Sequence, residues 1–192
     1  LHAPVAVAVL LAGACTQDLS QSSPLGPSEL KAASLSVVGV EPDAPPVEAI
    51  VVTFFARKGT KRTGHVYLTD GHGHRGKEYL RLTVDKDALL ARPDGTPFAN
   101  GDSVEITIRV VDPSKVLFQL EPAGLTFSPA SPADLRITYD VAGGDLDANG
   151  HHDAADDSLE DHLAIWRQED PGADFVRLTS DVSHSNKQVR AD

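Results

Sequence analysis

Apolar and polar residues alternate along much of this chain with a period of two. Between residues 103 and 111, valine and isoleucine occupy every second position, with Glu, Thr and Arg between them. Residues 80–84 and 135–139 repeat the pattern. Because successive side chains of a β-strand point to opposite faces, this alternation predicts strands with one buried face.

Apolar runs bounded by Gly and Pro predict the remaining strands. They lie at residues 35–40, 50–56, 65–69, 116–120, 163–166, 175–178 and 188–189. The continuous run at 50–56 predicts a core strand, residues 57–62 predict a hairpin tip, and residues 85–90 predict one helical turn. Regularly spaced strands with almost no helical period predict an all-β fold, either a sandwich or an open barrel. Our prediction is an antiparallel β-sandwich.

The carboxylates of the chain are concentrated between residues 140 and 161. Eight Asp and Glu residues lie there without any Lys or Arg, and the whole chain has a formal net charge of −11. Like charges repel one another unless a cation binds among them. The negative balance also argues against a nucleic acid as partner. We therefore expect an inserted acidic, metal-binding loop, and a solvated loop is the alternative.

The spacing inside this loop is that of an EF-hand calcium loop. Loop positions 1, 3, 5, 7, 9 and 12 are, in order, Asp145, Asp147, Asn149, His151, Asp153 and Asp156. His151 would offer its backbone carbonyl, and Gly150 stands at position 6, where the loop turns. Either Asp156 binds in place of the usual glutamate, or Asp157 or Glu160 assists it. Since a strand precedes the loop, the segment resembles dockerin-type repeats and other extracellular calcium modules, which implies a structural Ca²⁺.

The first residues resemble the signal peptide of a bacterial lipoprotein. An apolar run at 5–11, too short to span a bilayer, ends in small residues before Cys15, the only cysteine. The sequence Leu-Ala-Gly-Ala-Cys resembles a lipobox, which implies a signal peptide at 1–14, cleavage, and a diacylglycerol on Cys15. An ordinary signal peptide is the alternative. Residues 15–34 are predicted to be the lipidated cysteine and a flexible tether.

This resemblance also implies a location. Two or three acyl chains attach a protein stably to a membrane, so we expect an exported protein of the cell envelope with a lipid anchor. Thr16, and not Asp, follows the cysteine. By resemblance to enterobacterial sorting, this implies the outer membrane and a domain that faces the periplasm or the cell surface. Since no Met and no basic segment precede Leu1, we expect that the sequence is clipped at its start.

Residues 116–139 resemble the centre of a known β-sandwich module. The string Pro122-Ala-Gly-Leu-Thr-Phe-Ser-Pro129 and the strand after it are similar to the ZU-five domain, named from zonula occludens proteins and Unc-five netrin receptors. The similarity spans about residues 78–190 of a sandwich domain at 35–192. It implies a non-enzymatic module that contacts proteins. Because the family closes with one more apolar strand, we expect a clipped C-terminus, with an open sheet edge or an exposed apolar patch beside residues 187–190, where that strand belongs.

The sequence contains no recognisable catalytic constellation. It has no Gly-x-Ser-x-Gly and no His-Glu-x-x-His motif, and His72 and His74 lie in a glycine-rich turn without a third ligand at metal-binding spacing. We therefore expect a non-catalytic domain whose partner is another protein or a cell-wall component. The alternative is an accessory glycan-binding or hydrolytic domain of a cell-envelope enzyme, which an aromatic groove beside the loop would favour.

Overall fold

Short β-strands follow one another in the computed structural model, which describes residues 5–12, 35–147, 149–170 and 172–192. In chain order the strands are β1 (Val5–Ala12), β2 (Leu35–Val37), β3 (Val51–Arg57), β4 (Arg62–Thr69), β5 (Arg75–Val84), β6 (Leu89–Ala91), β7 (Ser103–Val110), β8 (Leu117–Glu121), β9 (Thr126–Phe127), β10 (Asp134–Thr138), β11 (Ala164–Gln168), β12 (Val176–Arg177), β13 (Ser180–Ser183) and β14 (Gln188–Ala191). Helix α1 (Ala154–Glu160) lies between β10 and β11.

The strands form two antiparallel sheets that pack against each other. The first sheet has the order β12-β11-β1-β8-β7-β3, with β2 paired to β1, and the second has the order β13-β14-β10-β5-β4. Strands β6 and β9 form a separate ribbon. Apolar side chains of both sheets share one core, where the rings of Tyr79 and Phe118 meet edge to face with centroids 5.0 Å apart. The predicted all-β antiparallel sandwich is confirmed.

Strand β3 is an edge strand, and not the core strand predicted from its continuous apolar run. Within the first sheet it pairs only with β7 among the described residues. Val51 and Phe55 are exposed, whereas Ala56 is buried, because an apolar run alone does not reveal whether one or both faces of a strand are covered. Residues 57–62 are not a hairpin tip, since β4 belongs to the second sheet and the segment connects the two sheets.

Residues 5–12 lie inside the first sheet as β1. The sequence predicts that they belong to a signal peptide outside the domain, and the structure differs from that expectation. Residues 6–10 pair with 164–168 of β11, and residues 5–8 pair with 117–120 of β8. A run rich in β-branched valine favours an extended backbone. Cleavage and lipidation concern processing and stay predictions, and Cys15 and the predicted tether lie outside the described residues up to residue 34.

Strand β14 lies inside the second sheet, between β10 and β13. Val189 is fully buried and Ala191 is buried. The predicted open edge at 187–190 is therefore wrong. Strand β13 pairs with the outer edge of β14. Its sequence, Ser-Asp-Val-Ser, contains one apolar residue and therefore does not predict a strand.

Helical structure is sparse in the described residues. The chain leaves β10 through a 3-10 turn at Asp140–Ala142, and α1 follows the acidic loop. The segment at 85–90, predicted as a helical turn, is a tight turn that leads into β6. No helix in this part of the chain is long and apolar enough to cross a membrane.

Candidate metal site

The acidic loop begins after the 3-10 turn and curls back on itself before α1. Gly150, at loop position 6, has a φ of +89°, a left-handed conformation that glycine adopts without a steric penalty. The backbone N–H groups of Asn149 and Gly150 donate hydrogen bonds of 3.0 and 2.8 Å to the carboxylate of Asp145. The start and the middle of the loop are therefore in direct contact. Ala148 lies outside the described residues.

Three carboxylates of the loop converge, and we call Asp145, Asp147 and Asp156 the aspartate cluster. One carboxylate oxygen of each residue lies within 4.8 Å of those of the other two. Asp156 is buried, Asp145 is half-buried and Asp147 is exposed. Oxygen atoms so arranged are the ligands that Ca²⁺ prefers. In the part of the chain that the structure describes, no other group of three His, Cys, Asp or Glu side chains has this geometry.

Asp156 connects the start of the loop to α1. Its Oδ1 accepts hydrogen bonds from the backbone N–H groups of Leu146 at 2.6 Å and Asp147 at 3.2 Å, and its Oδ2 accepts from Asp153 at 2.9 Å. The bond from Asp153 has the largest effect and lowers the pKa of Asp156; burial opposes it, and the pKa lies below its usual value. Asp156, with 1% of its surface exposed, is therefore ionised at neutral pH.

Asp153 caps α1 and does not join the aspartate cluster. Its Oδ1 accepts a hydrogen bond of 2.7 Å from the backbone N–H of Ala155, and its own backbone N–H donates to Asp156, which makes a reciprocal capping box. In the sequence, the Asp-x-x-Asp spacing at 153–156 is the signal for this helix start, whereas the EF-hand order assigns both residues to the metal. Any contact of Asp153 with a cation would compete with its role as a cap.

Asn149 and His151 are both exposed, and Asn149 lies against the aspartate cluster. The backbone N–H of Asn149 donates to Asp147 Oδ1 at 3.0 Å, and its side-chain amide donates to Asp147 Oδ2 at 3.1 Å. The backbone N–H of His151 donates to the Asn149 amide oxygen at 2.9 Å. The side chains of Asp145, Asp147 and Asp156 thus converge, with the Asn149 amide against Asp147, whereas Asp153 and His151 contact this group through their backbone N–H groups. That they bind a cation stays a prediction.

A partly buried ion pair attaches α1 to the sandwich, and no local pattern in the sequence indicates it. The carboxylate of Glu160 accepts hydrogen bonds from the Tyr139 hydroxyl at 2.5 Å and Lys187 Nζ at 2.7 Å, and His184 Nδ1 lies 3.5 Å away. Burial raises the pKa of Glu160, but these hydrogen bonds lower it more, so that the pKa lies below its usual value. Glu160 and Asp156 are both buried and lie four residues apart, a spacing that places them on one helix face.

His72 and His74 lie in an exposed turn that Asp70 organises. The Asp70 carboxylate accepts hydrogen bonds from the backbone N–H groups of His72 and His74 at 2.8 and 2.7 Å. The two imidazole rings are 6.4 Å apart. Among the described residues, no third His, Cys, Asp or Glu completes a metal-binding group with them. The turn is thus explained by its backbone hydrogen bonds.

The aromatic residues that flank the loop in the sequence are buried. Tyr139 precedes the loop and is 3% exposed, and Trp166 follows it and is 2% exposed. A ring needs an open face to stack on a ligand. Neither side chain therefore offers the aromatic groove that would favour the alternative of a glycan-binding domain.

Comparisons of this chain with protein-family models, with curated proteins and with solved structures found no match. The similarities to the ZU-five domain, to dockerin-type loops and to bacterial lipoproteins stay predictions.

Proposed function

We propose that this chain is an exported, lipid-anchored protein of the bacterial cell envelope, with a non-catalytic β-sandwich domain that binds another protein or a cell-wall component. In this proposal one Ca²⁺ bound by the acidic loop stabilises the domain. The observation that carries it is the convergence of Asp145, Asp147 and Asp156, which stand at positions 1, 3 and 12 of an EF-hand spacing.

A structural role for the cation follows from how the loop is attached. Asp156 bonds to the backbone of Leu146 and Asp147 at the start of the loop, and Glu160 at the end of α1 bonds to Tyr139 and Lys187 in the sandwich. A cation held by the aspartate cluster offsets the repulsion among carboxylates inside a loop that is closed at both ends. Extracellular sites of this type bind Ca²⁺ with dissociation constants of about 10⁻⁴ to 10⁻³ M, which suits constant occupancy more than sensing.

Exposed apolar residues on the first sheet support the role in protein contact. Ile50, Val51 and Phe55, with 56%, 38% and 60% of their surface exposed, lie at or next to the edge strand β3. Val51 and Phe55 are an even number of residues apart and so share one face of β3, and an exposed apolar sheet edge is a place where another chain can pair. The non-catalytic assignment is supported by the sequence, which contains neither a nucleophile motif nor a zinc-protease motif.

Calcium is expected to raise the melting temperature of the protein. At a free Ca²⁺ concentration about ten times the dissociation constant, binding adds about 1.4 kcal/mol to the free energy of unfolding, which corresponds to roughly 3–6 °C for a domain of this size. Scanning calorimetry in about 10 mM Ca²⁺ and in chelator measures the shift. An equal concentration of Mg²⁺ should give a smaller shift, because Mg²⁺ gives up its water ligands reluctantly.

Two loop variants separate specific binding from a general charge effect. Asp145→Asn removes one carboxylate of the aspartate cluster and is expected to abolish the calcium shift. Asp157, which the sequence offers as an assisting ligand, lies outside the aspartate cluster. Asp157→Asn removes the same charge from this exposed residue in the first turn of α1 and is expected to keep the calcium shift. The metal proposal fails if both variants retain the full shift, or if titration of the apo protein with Ca²⁺ releases no heat.

The lipid anchor has its own test. When the chain is expressed with its N-terminal region in a bacterium that processes lipoproteins, a labelled fatty acid is expected to appear in the wild type and to be lost completely in Cys15→Ser. Fractionation should place the wild type with membranes. Equal labelling of both proteins, or labelling of neither, refutes the anchor without affecting the calcium proposal.

A further inference from the structure

Strand β1 occupies a slot between β8 and β11, and it joins two parts of the first sheet. It runs antiparallel to both neighbours, with residues 6–10 paired to β11 and residues 5–8 paired to β8. Residues 10–12 also pair with β2. In the described chain, β8 and β11 do not pair with each other. Without β1 the sheet therefore separates into β11-β12 and β8-β7-β3, and each part has an unpaired edge.

Buried apolar residues border much of the slot on both faces of the sheet, together with the half-buried Gln119, Arg167 and Gln168. Phe118 of β8 and Ile165 of β11 belong to the main core and are fully buried. Ala164 and Trp166 of β11 form a second cluster, against which Leu117 of β8 packs. An empty slot would bring two unpaired backbone edges and both apolar faces into contact with water, and each of these is costly.

A cleft between the sheets reaches the same place. Its volume is about 490 Å³, and Leu120 and Arg167 are among the residues that line it. Leu120 is the register partner of Val5, and Arg167 is that of Val7. Loss of β1 would thus join the slot to the cleft and open the core along one side.

The proposed maturation removes this strand. Cleavage before Cys15 would release residues 1–14, and with them all of β1. We propose that the slot between β8 and β11 is a strand-acceptor site, and that in the processed protein an extended apolar segment of a partner protein occupies it. This inference rests on the proposed function, because it requires the cleavage, and it identifies the binding surface of the sandwich.

The geometry of β1 defines the chemistry of the partner segment. It has about eight uncharged residues in an extended conformation, lacks proline, and bonds through its backbone to a strand on each side, as in other cases of strand addition. A second processed copy cannot supply it, because that copy has lost residues 5–12 as well. The tether cannot supply it either, since residues 16–27 contain two prolines and few apolar residues.

The test supplies the strand in trans. A protease site is inserted between Ser22 and Ser23 of the full chain, the folded protein is cleaved and denatured, and the N-terminal fragment is removed through an affinity tag. The remainder is refolded alone, with the fragment, or with a labelled peptide of sequence VAVAVLLA that carries two lysines at each end for solubility. Trp166 is the only tryptophan of the chain and borders the slot, so its emission reports whether the slot is filled.

The fragment and the peptide are each expected to restore buried Trp166 emission and one cooperative unfolding transition, with a single labelled peptide bound per chain. A peptide with proline in place of Val9 should not restore them, because it lacks a backbone donor. The uncleaved chain should bind at least tenfold less labelled peptide, since its slot is already filled. Native refolding without any added strand, failure of the fragment and the peptide to restore the fold, or equal rescue by the proline peptide overturns the proposal.

This outcome is independent of the lipid-anchor test. If fatty-acid labelling fails and N-terminal sequencing shows that residues 1–14 are retained, successful strand rescue would leave β1 as a permanent strand of the domain. Labelling of Cys15 with failed rescue would leave the proposed function intact and eliminate only the strand-acceptor site.

Discussion

Asp156→Ala is expected to lower the melting temperature of the calcium-free protein by roughly 5 °C or more. The substitution leaves the backbone N–H groups of Leu146, Asp147 and Asp153 without the acceptor that they now share. Asp156 is buried, and breaking the hydrogen-bond network of a buried side chain is among the main sources of large mutational effects. The capping box of α1 loses one of its two side chains as well. Thermal unfolding in chelator measures the effect apart from any bound metal.

Two companion variants test the reason for this effect. Asp156→Asn keeps one acceptor oxygen but places an amide donor against the N–H of Asp153, and an intermediate melting temperature is expected. Asp157→Ala removes an adjacent but exposed carboxylate, and a change within about 2 °C is expected, as for most surface substitutions. Equal losses for Asp156→Ala and Asp157→Ala would mean that net loop charge, and not the shared hydrogen bonds, determines stability.

The spacing of the acidic loop predicts correctly which carboxylates approach Asp156, but it does not predict that Asp153 caps α1. A ligand order taken from EF-hands predicts that the residues at positions 1, 3 and 12 approach one another, and Asp145, Asp147 and Asp156 do so. The same order assigned Asp153 to the metal, although in the structure it caps α1. An aspartate that caps a helix and an aspartate that binds a cation can occur at the same spacing in a sequence. Only the direction of the neighbouring backbone N–H groups distinguishes them.

The strands show where periodicity is informative. Alternation predicted β7 and its buried face correctly, because one side of that strand is covered by the core and the other is not. The run at 50–56 does not alternate in composition, and it was wrongly interpreted as a core strand. Its position at the sheet edge depends on which strands pair with it, and that information lies in distant parts of the chain. The polar strand β13 was missed for the same reason.

The residues that anchor α1 show a similar limit. In the sequence, Glu160 is one more carboxylate in an acidic run, and Lys187 is one of two cations near the end of the chain. The fold places Lys187 at the turn between β13 and β14, within 2.7 Å of Glu160. A contact between residues so far apart in sequence cannot be inferred from local spacing. It is nevertheless the contact that connects the acidic loop to the second sheet.

Lys187→Met is therefore expected to destabilise the protein at neutral pH by roughly 1–2 kcal/mol. This loss of unfolding free energy is smaller than for a fully buried ion pair, because water partly screens the Lys187 side chain, which is 41% exposed. The Glu160 side chain is 10% exposed. Methionine retains an apolar stem of similar length, so that the main change is loss of the charge and of the hydrogen bond to Glu160. Tyr139 continues to donate to the carboxylate, and His184 remains 3.5 Å from it.

The pH dependence tests the same ion pair. Because the pKa of folded Glu160 lies below its ordinary value of 4.5, its contribution to stability is present above that value and disappears as the pH falls through the folded pKa. Burial without Lys187 should raise this pKa in the variant. The difference in unfolding free energy between wild type and Lys187→Met should thus be largest near neutral pH, and it should vanish at a pH low enough to protonate Glu160 in both proteins.

Lys77→Met is the matched control for this prediction. Lys77 Nζ lies 2.6 Å from Asp140 Oδ2, and both side chains are about half exposed, at 49% and 48%. Water screens such an exposed ion pair. Loss of the Lys77–Asp140 pair is therefore expected to change the free energy of unfolding by less than about 0.5 kcal/mol. Chemical denaturation of the three proteins between about pH 3 and pH 7 measures the comparison. A Lys187→Met effect that is independent of pH, or no larger than that of Lys77→Met, would show that burial around Glu160, and not its charge, attaches α1 to the sandwich.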